Sequence, residues 1–290
     1  MSSLVSDLII RLYSTLFTYI DSIEDLSYLN RELLQKSYLG VDTEFRRTTK
    51  DNMKLALLQV NDGEEIYLID AVLISNPEDH CDFLFSDSVT KVFHSCKEDL
   101  EAIYSWTQKE MVNIFDTQIA NAFLNGDFAI GYQGLVRKKL GIILNKNETR
   151  SNWIRRPLSD SQLKYATLDV EYLLNLYQIQ VRELSETTKI TWHNQDIERL
   201  VGNTFRPSTA FLELERTLTK AQESEILARL NKIVETISKK ENINPTLFFS
   251  KKAQRDFLRL VYIQGLDAAC KEITSWRSDL IRNEILDLLG

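Results

Sequence analysis

Asp42 and Glu44 stand two positions apart in Tyr38-Leu39-Gly40-Val41-Asp42-Thr43-Glu44-Phe45, an apolar run of strand-forming residues. The period-two geometry of a strand points both carboxylates to one face. Like charges that close repel each other. A divalent cation between them removes the repulsion, because hard carboxylate oxygens are the ligands that Mg²⁺ and Mn²⁺ select. Two solvated acids at a strand end have the same spacing, so the pair by itself decides nothing and the chemistry depends on further carboxylates.

Three further acids stand at the ends of predicted elements. In Phe93-His94-Ser95-Cys96-Lys97-Glu98-Asp99-Leu100 a strand gives way to a helix, and Asp99 falls in the first helical turn, where the helix dipole favours an acid in any case. In Tyr165-Ala166-Thr167-Leu168-Asp169 a tyrosine and an aspartate four residues apart share one helix face. Asp116 follows the predicted strand Val112 to Phe115 and reads as the cap of the next helix, a structural place.

Taken in order, D-x-E, H-x-x-x-x-D-L and Y-x-x-x-D resemble the motifs of the DEDD exonuclease superfamily, with the tyrosine of its DEDDy branch. The detailed match is similar to ribonuclease D over roughly residues 36 to 182, and it takes in Phe115-Asp116-Thr117-Gln118 and the segment Lys146 to Leu158, with Ser151, Trp153, Arg156 and Pro157. The resemblance implies an α/β fold, an RNase H-like mixed sheet flanked by helices, and a 3′-to-5′ exonuclease using two divalent metal ions, Mg²⁺ or Mn²⁺. Two cations about 3.5–4 Å apart activate a water, stabilise the scissile phosphate and hold the leaving oxygen. By resemblance, Asp42 bridges the ions, Glu44 and Asp169 complete the water-activating site, and Asp99 supports the second ion, partly through water. Tyr165 orients the attacking water; with an ordinary pKa of roughly 10 it is a poor base. Glu44 also reaches the terminal 3′ hydroxyl.

The elements that must hold these residues follow from the chain. After the strand around Asp42, Lys54 to Val60 and Glu65 to Asp70 read as two more strands joined by the Asn61-Asp62-Gly63 turn signal. Residues 77 to 86 read as helical after Pro77, Lys91 to His94 as a short strand, and Glu98 to Gln108 as a helix. Helical spacing then runs to about residue 183. Antiparallel strands followed by strands alternating with helices indicate a mixed sheet flanked by helices.

Basic residues gather where an incoming strand needs phosphate contacts: Arg137, Lys138, Lys139, Lys146, Arg150 and Arg156, between the second and third motifs. A charge run of this kind also fits a solvated face. Phe45 and Trp153 are candidates for stacking on terminal bases, and Trp153 fits the core equally well. His94 has no histidine or cysteine partner in register and is taken as structural.

The expected domains are an N-terminal helical extension over residues 1–20, an exonuclease domain over 21–206 and a small all-α bundle over 207–290. The last resembles an HRDC domain through Asn244-Pro245-Thr246-Leu247, the basic helix Lys251-Lys252 to Arg259, and Ser275-Trp276-Arg277-Ser278-Asp279-Leu280; Ser275 stands where that pattern commonly has glycine. Lys251, Lys252, Arg255 and Arg259 can form a basic stripe for RNA, or simply a packed and solvated helix face.

Composition is ordinary for a globular chain of 290 residues, with 43% hydrophobic and 27% charged residues. The net charge of −7 lowers the expectation of nucleic-acid binding without excluding it, since an enzyme that handles polyanions through bound cations and local basic patches can be acidic overall. Three widely spaced cysteines, Cys81, Cys96 and Cys270, argue against a disulfide framework or zinc site and fit a reducing cytoplasm. Asp7 and Arg11 interrupt the apolar run Leu4 to Ile20, so no membrane span is expected, and no obligate protein partner is indicated. The resulting expectation is a cytoplasmic 3′-to-5′ exoribonuclease acting on RNA 3′ ends such as those of tRNA precursors and releasing 5′-monophosphates. A DNA-directed exonuclease of the same superfamily and a non-catalytic RNA-binding module are the alternatives.

Overall fold

A computed structural model describes residues 17–49, 52–144, 151–206 and 218–289. The greater part of the expected N-terminal helix, the substrate candidates Lys146 and Arg150, and the start of the expected all-α bundle lie outside the described residues.

Six strands form one sheet in the order β1-β4-β3-β2-β5-β6. They are β1 (Phe17–Ile20), β2 (Tyr38–Thr49), β3 (Asn52–Asn61), β4 (Ile66–Ile69), β5 (Thr90–Phe93) and β6 (Ile114–Asp116). β3 is antiparallel to both β2 and β4, whereas β1 is parallel to β4, β5 to β2, and β6 to β5. The sheet is therefore mixed, as expected. Its centre is dry: Leu55, Ala56, Leu57, Leu58 and Val60 of β3 are all buried, which only a strand covered on both faces permits.

Helices between the strands are α1 (Ile23–Leu33), α2 (Asp82–Phe85) and α3 (Lys97–Thr107). Two expectations are corrected here. Phe17–Ile20 is not helix but the edge strand β1, held by its register with Ile66–Ile69; its β-branched and aromatic residues suit that place. The helix expected over residues 77–86 shrinks to α2, because Asn76 takes a left-handed φ of 56° and the chain turns from Pro77 to His80 before helical bonding begins.

Lys91 lies in β5 with 0% exposure, and its Nζ donates to the carbonyls of Ser86 at 2.8 Å and Val89 at 2.7 Å. Burial pushes its pKa down from 10.5 to about 7. The unfolded chain keeps that proton up to the ordinary lysine value while the folded chain releases it near neutrality. Between the two, the unfolded state binds more protons, so this residue makes stability rise with pH, by on the order of 1 kcal/mol per pH unit. Urea denaturation at pH 7 and pH 9 is expected to show that component in the wild type and its loss in Lys91→Met; equal slopes in the two proteins exclude it.

The remaining helices are α4 (Thr117–Phe123), α5 (Tyr132–Leu140), α6 (Asp160–Val170), α7 (Leu173–Glu186), α8 (Ile190–Phe205), α9 (Lys220–Glu241), α10 (Pro245–Phe249), α11 (Lys251–Gln264), α12 (Leu266–Lys271) and α13 (Ser275–Leu289). Two compact units result: one runs to Thr117 and resumes over Gly131–Ile179, and the other takes Gln118–Ile130 and everything from Gln180 onward. This differs from the expected division at residue 206. α8 precedes that division, and its buried side chains belong to the second unit. Trp192 stacks on Trp276 at 4.9 Å, Asp196 accepts from Trp276 Nε1 at 2.9 Å and from Arg277 Nη2 at 2.7 Å, and Lys189 Nζ donates to Asn242 O at 2.9 Å. Local signals set the helix ends in this unit: a Thr219/Gln222 capping box opens α9, Asn242 at φ 51° closes it, and Asn244 caps α10 ahead of Pro245.

Candidate active site

β2 brings Asp42 and Glu44, both half-buried, to the sheet face that α6 covers. Gly40, on the same face, allows the approach: a Cβ there would meet Leu173 Cβ at 3.2 Å and the Val170 carbonyl at 3.4 Å. α6 is fixed at both ends. A Ser159/Gln162 capping box starts it, and beyond Asp169 the Asn61 Nδ2 of β3 donates to Val170 O at 3.0 Å and Glu171 O at 3.2 Å. The consequence is a cluster in which one carboxylate oxygen each from Asp42, Glu44 and Asp169 lie within 4.8 Å of one another. Three converging hard anionic donors fit a divalent cation, which also offsets their mutual repulsion.

Tyr165 lies one turn before Asp169. Burial, then the charges of Glu44 and Asp42, push its hydroxyl up to about 12, so it is a protonated donor at neutral pH. Trp153 is 7% exposed and packs on the Tyr165 ring, with centroids 6.0 Å apart. Of the two places open to Trp153 from sequence, this burial against the tyrosine is the core one.

Asp99 arrives from the other side of the sequence through a braced turn. The Asp116 carboxylate accepts from the backbone nitrogens of Ser95 at 3.2 Å and Cys96 at 2.7 Å, which holds Ser95 at φ 68° and launches α3. Thr117 Oγ1 adds a bond to Phe93 O at 2.9 Å and lies 2.9 Å from His94 Nδ1, giving the histidine its structural place. Asp99 is buried and accepts from Thr43 Oγ1 at 2.5 Å. Burial, reinforced by the negative charge of Asp42, holds its carboxyl well above the usual carboxylate range. It thus stands beside Asp42 electrostatically but outside the tight group of three, which suits a looser ligand.

The basic candidates divide. Arg137 and Lys138 are exposed in the last turn of α5, where they also complement the helix dipole. Phe45 is half-buried at a register shift in the β2–β3 pairing directly after Glu44. Arg156 is a correction: its guanidinium is bound by both Asp70 oxygens and by the carbonyls of Trp153 at 2.6 Å and Ala56 at 2.8 Å, leaving no fork for a phosphate. On α11, Lys251 and Arg255 join Lys232 of α9 around a cleft of about 480 Å³. Lys252 instead faces Asp256 at 3.8 Å, and Arg259, the end of the expected stripe, is tied to Glu223 at 2.7 Å. Sequence reading missed Thr43, Asn61 and Asp70; of these only Asn61 gave a signal, read as a turn residue. Among the described residues no helix is long and apolar enough to cross a membrane.

The family described as 3′-5′ exonuclease matches residues 17–185. The chain is 40% identical over 178 residues to a ribonuclease D of Pseudomonas paraeruginosa, an alignment covering 61% of this chain and 47% of that protein. To a ribonuclease D of a Shewanella species it is 34% identical over 204 residues, covering 69% and 53%. The chain thus spans about half the length of the curated relatives it matches. The crystal structure of Escherichia coli RNase D, described as an exoribonuclease involved in structured RNA processing, superposes with a TM-score of 0.64 at 22% identity, over 94% of this chain and 73% of that one.

Proposed function

Because this chain belongs to the 3′-5′ exonuclease family, we propose that it is a ribonuclease D-like, Mg²⁺- or Mn²⁺-dependent exoribonuclease that trims the 3′ ends of structured RNA such as tRNA precursors and releases 5′-monophosphates. The observation that carries this reading is the convergence of Asp42, Glu44 and Asp169 beside Tyr165. Asp42, Glu44 and Asp169 would hold the cations, Asp42 as the ligand they share and Glu44 and Asp169 on the water side, while Asp99 would support the leaving-group side. When bound, the cations would supply Lewis acidity and make a water acidic enough to act as nucleophile at neutral pH. The Tyr165 hydroxyl orients that water, while Glu44 bonds the terminal 3′ hydroxyl and so restricts attack to chain ends. Arg137, Lys138 and Phe45 contact the incoming strand. The second unit is an HRDC-like module, with Lys251 and Arg255 binding RNA phosphates. The three buried, unpaired thiols support a reducing, cytoplasmic setting.

The test is to incubate the protein with 3′-extended tRNA and matched single-stranded DNA in Mg²⁺, Mn²⁺ or EDTA. Stepwise loss of nucleotides from the RNA, absent in EDTA, is expected. Activity persisting in EDTA overturns the mechanism, a strong DNA preference favours a DNA-directed exonuclease, and RNA binding without cleavage indicates a binding module. Tyr165→Phe is expected to lower kcat by roughly a hundredfold, the cost of a mispositioned nucleophile, with the melting temperature nearly unchanged. A Phe variant as fast as the wild type removes the tyrosine from the reaction.

A further inference from the structure

β3 contains one side chain that the core does not account for. In the buried run Leu55-Ala56-Leu57-Leu58-Gln59-Val60, Gln59 has 0% exposure, and neither its Nε2 nor its Oε1 has a hydrogen-bond partner among the described residues. Buried amides are nearly always satisfied, and an apolar residue would fill this position without that demand. Burial of an amide here is costly unless a polar group within reach makes use of it.

The pairing register says which. Gln59 stands directly opposite Asp42 in the antiparallel β2–β3 ladder, and opposed residues share a face with Cβ atoms about 4.5–5.5 Å apart. Its neighbour on the same face, Asn61, shows what that face does: its amide holds the C-terminal end of α6, the helix that delivers Asp169. Two amides thus stand in a row on β3. One anchors the helix, and the other lies beside the carboxylate at the centre of the site.

We propose that Gln59 is a positioning residue for Asp42: its Nε2–H, without a partner here, donates to the Asp42 carboxylate once divalent cations are bound and fixes the orientation in which that group holds them. The inference rests on the metal-site reading of Asp42, Glu44 and Asp169 given above. A carboxylate that bridges cations must present both oxygens in a defined plane. An amide donor in the dry sheet holds that plane where a solvated partner would not, and it keeps the negative charge on the ligand because it brings none of its own.

Binding of Mn²⁺, followed by electron paramagnetic resonance, and melting in EDTA test this on Gln59→Leu and Gln59→Met. Both variants are expected to weaken Mn²⁺ binding about 10- to 100-fold, the usual effect of losing a group that orients a metal ligand. Their melting temperatures in EDTA should equal or exceed that of the wild type, since an unsatisfied buried amide has been replaced by apolar atoms. Wild-type Mn²⁺ affinity in both variants overturns the proposal. So does a fall in the EDTA melting temperature of both, which would make Gln59 a packing residue. Failure of the wild type itself to take up Mn²⁺ overturns the metal-site reading on which the proposal stands, and is distinguishable because it appears before any substitution.

Discussion

Asp42→Asn is expected to remove 3′-end trimming, lowering turnover by on the order of a thousandfold or more, while leaving the protein folded and raising its melting temperature in EDTA. Both effects come from one geometry. The Asp42, Glu44 and Asp169 carboxylates lie within 4.8 Å of one another, and Asp42 also pushes the buried Asp99 carboxyl upward. Without cations this is a cluster of like charges held together by packing, so removing one charge of nearly the same shape relieves repulsion. With cations the same charges are the ligands, and the amide is a weaker one. Adding Mg²⁺ or Mn²⁺ should therefore raise the wild-type melting temperature and leave that of the variant almost unmoved. Turnover assays and paired melts in EDTA and metal check the two halves separately. A variant that is less stable in EDTA contradicts the repulsion account, and one that still trims RNA contradicts the ligand role.

Asp70→Ala is expected to cost about 3–5 kcal/mol of stability, the range for stripping the partner from a buried charge. Asp70 is fully buried and accepts from the Nε and Nη2 edge of the Arg156 guanidinium, the Tyr19 hydroxyl and the backbone nitrogens of Val72 at 2.9 Å and Leu73 at 3.1 Å. Burial alone would raise its carboxyl; the bonds from Arg156 and Tyr19 outweigh that and hold it below the ordinary value. A lowered folded-state pKa gives stability that is present above the unfolded-state value and lost as pH falls through the folded one, so the pair also contributes to acid unfolding. Arg156 in turn binds the Trp153 carbonyl, and Trp153 packs on Tyr165. Loss of the pair should therefore reach the active site as reduced turnover. Urea unfolding of Asp70→Ala, Arg156→Met and the double variant gives the coupling; additive losses mean that the two residues do not act together.

How much of this was legible beforehand depends on how far apart in the chain the partners lie. Asp42 and Glu44 share a face because a strand alternates, and Tyr165 and Asp169 because a helix turns in just under four residues. Those are local rules, readable from spacing, as are the Thr219/Gln222 and Ser159/Gln162 caps. Arg156 and Asp70 are 86 residues apart, and no spacing rule joins them. An arginine in a basic stretch was therefore read as a phosphate contact when its charge is used inside the fold. Trp153 was open to a core or a stacking place, and its contact with the Tyr165 ring is likewise one that no spacing rule supplies.

By itself the sequence determined the chemistry on offer: which acids exist, in what order, on which faces of their own strand or helix, and with which tyrosine one turn away. The tertiary structure decided the rest. It brought Asp169 to Asp42 by laying α6 across Gly40 and anchoring it through Asn61, it recruited Phe17–Ile20 into the sheet, and it set Gln59 opposite Asp42. The physical reason is that face and spacing follow from backbone geometry over a few residues. Burial and partnership are set only when segments far apart in the chain exclude water from each other.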